Sequence, residues 1–297
     1  MATAQSEQPR MTIYLDTMLW NELCDQSIDP AVLTSALTAQ GKVLVLGAEA
    51  IYEMAKTFKS NPARGKELFS CLKKFTDLRI PGVKDNPMLL IAEADAAMNG
   101  TKVDSDIFWD AVNYARMQKE IEKLSNGVVD KKSEELIESR RQLAAIERAA
   151  ISSHYGGMSA LKVRLSRVSP TDLPTWITKE AQRSGRFILK QHLAKLLPGA
   201  QPRQIAIATK RLLARQGFRL SHSVVRADLY SNWRAANSGS MPRDLLPDLD
   251  HIVTASYFDV YATKEAAQGK YAPVVLGKTV IAIFDGKLPI SAWLESL

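Results

Sequence analysis

The chain has 297 residues, a net charge of +7, 46% hydrophobic and 24% charged residues, the composition of a globular protein with a substantial core. No apolar run approaches the roughly 20 residues of a membrane span, and the first ten residues lack the apolar stretch of a secretory signal and read as a loose tail. Cys24 and Cys71 stand alone, with neither a CxxC pair nor a disulfide framework, which fits a reducing cytoplasm.

The charge is segregated. Residues 160–243 hold sixteen Lys or Arg against three acids, a local +13, which leaves −6 for the rest of the chain. A basic block joined to an acidic remainder points to a polyanionic partner. Lys210, Arg211 and Arg215, within that block, are the candidate phosphate contacts.

In chain order, Met11 to Leu15 is a short apolar run that reads as a buried first strand. It ends in Asp16, and a carboxylate at the exit of a central strand is where α/β enzymes keep chemistry. Asp16 or Thr17 also suits capping of the next helix, around Met18 to Asp25. Lys42 to Leu46 is a second strand, ended by Gly47. The helix after it, Ala48 to Lys59, carries Glu49 and Glu53 one turn apart on one face. A helix continues over Leu68 to Phe75, and Leu78 to Ile80 is the expected third strand. Asn86 is the expected N-cap of a helix from Pro87 to Met98.

From Asn99 to Pro242 the periodicity is helical throughout. Glu134 to Ile151 repeats apolar pairs every seven residues, which suits a helix packed on a partner helix. Pro170, Pro174, Pro198 and Pro202 divide the basic half into helices of ordinary length. Asn237 to Pro242 is the expected exit loop.

The stretch from Leu246 to Glu265 gathers the signals. Leu249 to Tyr257 has helical spacing, Val260 to Thr263 is β-branched and aromatic, and Thr279 to Phe284 is a strong last strand. In a parallel sheet each helix begins on the side where the strands end. Asp16, Asp248, Asp250 and Glu265 therefore belong on one rim and Asp259 on the other. Carboxylates gathered on one rim repel one another unless positive charge lies between them, and a divalent metal is the usual answer.

Other motifs fail. Gly277-Lys278-Thr279 has Ala272 where a P-loop needs its first glycine, and a strand follows it. Met18 stands where an aspartate-based phosphatase has its second Asp. His154, His192, His222 and His251 lack metal-ligand spacing, and neither HExxH nor GxSxG occurs.

Taken together, Ile13 to Thr17, Leu46 to Met54, Asp248 to His251 and Asp259 to Glu265 resemble the PIN-domain nucleases, which include the VapC-type toxins of toxin–antitoxin pairs. The resemblance implies a three-layer α/β/α fold with a mainly parallel central sheet. The core would be built from residues 11–98 and 244–297, with residues 99–243 as an all-α basic insertion. It also implies a cytoplasmic endoribonuclease that hydrolyses phosphodiester bonds with Mg²⁺ or Mn²⁺. Asp16, Glu53, Asp248 and Glu265 would be its catalytic residues, and Asp16, Asp248 and Asp250 its metal ligands. Glu265 stands where the family usually has Asp, and Asp250 is an extra acid able to take the place of Asp248. The implied partners are RNA, with DNA left open, and an antitoxin or other regulatory protein, but no membrane. The competing expectation is a PIN-like module that binds nucleic acid or protein without cutting.

Overall fold

The structure, a computed structural model, describes residues 10–103, 107–131, 134–135, 165–238 and 245–297. Strands β1 (Met11–Leu15), β2 (Lys42–Gly47), β3 (Gly82–Val83), β4 (Val260–Thr263) and β5 (Val280–Ile283) form one parallel sheet in the order β3-β2-β1-β4-β5. Helices α1 (Thr17–Asp25) and α2 (Pro30–Ala39) connect β1 to β2. Helices α3 (Ala48–Ser60) and α4 (Pro62–Asp77) lead on to β3. After β3 come α5 (Asn86–Asn99), α6 (Ala111–Ser125), α7 (Leu173–Leu196), α8 (Pro202–Ala214), α9 (Arg219–Ser238) and α10 (Leu245–Ala255). The last two helices are α11 (Ala266–Val275) and α12 (Ile290–Ser296).

Successive strand side chains point to opposite faces, and the sheet divides its core accordingly. Ile13, Leu15, Leu44, Leu46, Val260 and Ala262 pack on one face with Trp20 of α1, Leu33 of α2, Met54 of α3, Phe69 of α4 and Ile121 of α6. Tyr14, Val45 and Tyr261 turn to the other face. There they meet Leu90 of α5, Leu189 of α7, Leu212 of α8, Ile252 of α10 and Val275 of α11. The sheet is covered on both sides, and the described helices of the basic region share a core with its second face.

Glu93 of α5 ties that region to the core. Its fully buried carboxylate accepts from Leu220 N (2.9 Å), Ser221 N (2.8 Å), Ser221 Oγ (2.5 Å) and the Tyr257 hydroxyl (2.5 Å). Two of those donors are first-turn amides of α9, which no helical carbonyl can satisfy. Burial raises the Glu93 carboxyl, and the hydrogen bonds from Ser221, Tyr257 and Leu220 hold it back.

Four expectations are corrected. The third strand is Gly82–Val83, because Leu78 ends α4 and Arg79 turns left-handed at φ 58° before Ile80 enters the core. The cap of α5 is Asp85, whose carboxylate accepts from Met88 N at 3.1 Å. Asn237 and Ser238 are helical, the Asn237 amide donating to Trp233 O one turn back. Cys24 and Cys71 do not stand alone: α1 and α4 bring their Cα atoms to 5.7 Å and the two are paired as a disulfide. The seven-residue repeat between Glu134 and Ile151 lies, from Leu136 on, outside the described residues. No helix among the described residues is long and apolar enough to cross a membrane.

Candidate functional site

Strand order reverses between β1 and β4, with β2 and β3 on one side and β5 on the other. At such a switch point the connections leave in opposite directions and open a crevice beyond the strand ends, where open α/β sheets bind ligands. The expected rim lies there. Asp16 leaves β1 and is 2% exposed. One carboxylate oxygen caps α1 by accepting from Leu19 N (2.9 Å), and the other accepts from the hydroxyl of Thr263, the last residue of β4 (2.5 Å). Capping and a place in the rim thus belong to the same side chain. Burial raises the Asp16 carboxyl, which the hydrogen bonds from Thr263 and Leu19 and the charge of His251 oppose.

Glu53 reaches the same edge from α3, and Glu49 is buried one turn before it. Glu53 Oε2 accepts from the Thr17 hydroxyl (2.6 Å) and lies 3.2 Å from His251 Nε2. His251 is buried, with Nδ1 3.0 Å from the Tyr14 hydroxyl and Nε2 3.0 Å from Thr17 Oγ1. Burial would discharge the imidazole, but Glu53, Asp16 and Glu49 outweigh it and hold its pKa up at about 9. Burial pushes Glu53 up; the His251 and Thr17 contacts overcome that and pull it down to about 2. The two form a part-buried ion pair at neutral pH, with His251 buried and Glu53 25% exposed. Gly47, at the end of β2, lies where the Tyr14 ring passes, and a β-carbon there would collide with its hydroxyl.

Asp248 accepts from the Tyr271 hydroxyl of α11 at 2.8 Å. Burial, followed by the charges of Glu265 and Glu53, raises its carboxyl to about 6 against the Tyr271 hydrogen bond. Glu265 follows β4, with its amide donating to Thr263 Oγ1 (3.0 Å) and its carboxylate accepting from Gln268 (3.4 Å). Asp250 is exposed and accepts from the Asn86 amide at 3.3 Å. Two residues along a helix is about 200° of rotation, so Asp248 faces Tyr271, Glu265 and Glu53 while Asp250 turns to α5. Asp259 lies at the opposite edge, as expected, accepting from Thr12 N and Oγ1 at 2.8 Å each.

Asp16, Glu53, Asp248 and Glu265 thus gather at one edge from four segments. His251 belongs with them and was passed over, because a single histidine beside an apolar helix stripe carries no ligand spacing. The adjoining Asp248 and Asp250 were the only available signal. The oxygen donors suit a hard divalent ion in kind. Their arrangement does not: among the described residues no group of three His, Cys, Asp or Glu side chains is placed to hold a metal ion. Both Asp16 oxygens are engaged in capping and bridging, and Glu53 is engaged by His251.

Of the three expected phosphate contacts, Lys210 and Arg215 are exposed at the C-terminal end of α8. Arg211 instead directs its guanidinium to the last carbonyls of α5, Ala97 O (3.0 Å) and Met98 O (2.7 Å). That is a helix C-cap interaction.

A scan against protein-family models, a search of curated proteins and a search of solved structures each gave no match for this chain.

Proposed function

We propose that the chain is a PIN-like endoribonuclease whose active site is the acidic rim at the β1–β4 switch point. The observation that carries the reading is the gathering of Asp16, Glu53, Asp248 and Glu265 at one edge, where burial first and then the charges of Glu265 and Glu53 raise the Asp248 carboxyl to about 6. A carboxyl of that pKa is poised for proton transfer near neutral pH. Asp248 is the group able to take a proton from an attacking water or return one to a leaving oxygen. The Glu53–His251 pair and Thr17 fix the floor of the crevice, and Thr263 holds the Asp16 carboxylate across it.

Mg²⁺ or Mn²⁺, if bound, would be held by Asp248 and Glu265 with Asp16, and would supply an activated water. As folded, these residues do not make that ligand set. The basic helices would carry the phosphate backbone toward a rim that alone repels it. A cytoplasmic location goes with the nuclease reading, and the Cys24–Cys71 pair, a feature of oxidising compartments, weighs against it.

One observation favours a second reading, a PIN-like module that binds without cutting: His251 already supplies positive charge where a metal would otherwise be needed. The deciding experiment is cleavage of end-labelled RNA by purified protein with and without Mg²⁺ or Mn²⁺, beside Asp16→Asn. The nuclease reading expects wild-type cleavage lost in Asp16→Asn, since Asn keeps the cap but not the charge. Binding without cleavage under every condition supports the module.

A further inference from the structure

A cleft of about 290 Å³ opens between α3, α6 and the start of α5. Its walls include the rings of Tyr52 and Trp109, the thioethers of Met88 and Met117, and the cations Lys84 and Arg116. Trp109 is held by more than packing. The segment Ile107–Trp109 pairs antiparallel beside β3, with Lys84 N donating to Ile107 O (3.1 Å) and Trp109 N to Gly82 O (2.8 Å). The indole lies over Gly82, where any β-carbon would collide with its six-membered ring. Tyr114 meets it edge-on, the ring centroids 5.8 Å apart. The result is a fixed flat wall beside a cleft that Met88, 46% exposed, leaves open.

Two acids line the cleft as well. Asp85 accepts from the α5 amide of Met88 (3.1 Å), and Glu120 pairs with Lys123 (2.8 Å). Asp85 and Glu120 keep their charges and balance Lys84 and Arg116, so the lining carries no net charge and the exposed Arg116 is its outermost cation. Its place matters too. Ala48, Ile51, Tyr52 and Ala55 line it from α3, and Glu49 and Glu53 stand on the adjoining side of the same helix. One helix, roughly 10–12 Å across, separates the cleft from the acidic rim. Both lie beyond the C-terminal ends of the strands, the cleft over β2 and β3 and the rim over β1 and β4.

We propose that this cleft is a nucleobase subsite. It would stack one base of a single-stranded RNA on Trp109 and Tyr52 and hold that nucleotide's phosphate with Arg116, while a neighbouring phosphodiester lies on the rim. The inference deepens the nuclease reading and rests on it for the identity of the ligand. Apolar and aromatic walls with a few charged groups at the edge are what a small planar ligand requires. Base stacking on aromatic side chains tolerates any sequence, so the subsite would set spacing from the rim more than base identity.

The test is isothermal titration of the full-length protein, without divalent metal, with AMP, GMP, CMP and UMP. Ribose 5-phosphate serves as the probe lacking a base. The nucleotides are expected to bind at least about fivefold more tightly than ribose 5-phosphate, the low end of stacking on aromatic rings. Trp109→Leu and, independently of the β3 pairing, Tyr52→Leu should each weaken AMP about tenfold. Arg116→Gln, on the exposed face of α6, should weaken AMP but not adenosine. Equal binding of ribose 5-phosphate, or wild-type nucleotide affinity in both ring variants with native melting curves, overturns the subsite. RNA cleavage is assayed on the same preparations. Cleavage without base-dependent binding leaves the nuclease and removes the subsite, whereas base-dependent binding without cleavage of any RNA removes the nuclease and leaves the subsite.

Discussion

His251 Nε2 lies 3.2 Å from Glu53 Oε2, although the two residues come from helices on opposite faces of the sheet. They meet only because β1 ends beneath them and presents Thr17, whose hydroxyl donates to Glu53 and touches the same imidazole nitrogen. The pair joins the two outer layers above the switch point.

This pair sets a pH dependence. Folding raises His251 from 6.5 to about 9 and lowers Glu53 from 4.5 to about 2. A raised histidine stabilises fully below its unfolded pKa and loses that contribution as pH climbs through its folded one. A lowered carboxylate stabilises above its unfolded pKa and loses its contribution as pH drops through its folded one. The pair's contribution is therefore whole between pH 4.5 and 6.5, wanes toward pH 9, and is lost on acidification toward pH 2. Urea midpoints across pH 6 to 9.5 should fall for wild type and stay flatter for His251→Gln. A His251→Ala protein should be less stable than wild type at pH 6, although Glu53, part-buried, keeps the Thr17 hydrogen bond and Lys56 at 3.8 Å.

Asp248 carries the same sign as His251 and the opposite sign to Glu53. Its folded carboxyl is raised from 3.8 to about 6, so the folded state holds the proton more tightly. The associated stability is present below pH 3.8 and lost as pH rises through 6. Asp248→Asn, which can still accept from Tyr271, should therefore melt a few degrees higher than wild type at pH 8 and no higher at pH 3.5. If the rim takes Mg²⁺ or Mn²⁺, the ion should raise the wild-type melting temperature at pH 8 and leave that of Asp248→Asn unchanged. Equal shifts in both proteins would detach Asp248 from metal binding.

Glu93 should be a stability residue with no part in chemistry. Glu93→Ala strips acceptors from two buried α9 amides and two hydroxyls, at a cost of at least about 3 kcal/mol. Tyr257→Phe, which removes one of those donors, should cost about 1 kcal/mol. Denaturant unfolding measures both. A Glu93→Ala protein as stable as wild type would mean that α9 does not depend on this cap.

The basic region should separate into structural and binding cations. Arg211→Gln releases the α5 carbonyls of Ala97 and Met98 and should lower stability by about 1 kcal/mol. Lys210→Gln with Arg215→Gln should spare stability. If both touch RNA, the slope of log affinity against log salt should become shallower by about 1.4, at about 0.7 per contact for single strands. An unaltered slope in the double variant would remove this end of α8 from the RNA path.

The sequence by itself determined the sheet and its polarity. Met11–Leu15, Lys42–Gly47 and Val260–Thr263 are short, almost wholly apolar runs, and a strand buried on both faces has no other pattern available. Once those strands are parallel, Asp16, Asp248 and Glu265 must share an edge and Asp259 must take the other, because chain direction fixes which end each residue occupies. Tertiary structure decided everything that depends on contact between layers. Only two residues of β3 pair, too few for periodicity to mark. The Cys24–Cys71 link spans 47 residues, and no local spacing signals a contact between two helices. Helix rotation placed Asp248 in the cluster and sent Asp250 to α5, since apolar periodicity defines the buried stripe but not the partners of residues at its margin. His251 was invisible for the same reason. Its charge at neutral pH is set by three acids that reach it from other segments, and a sequence read one window at a time contains no term for their field.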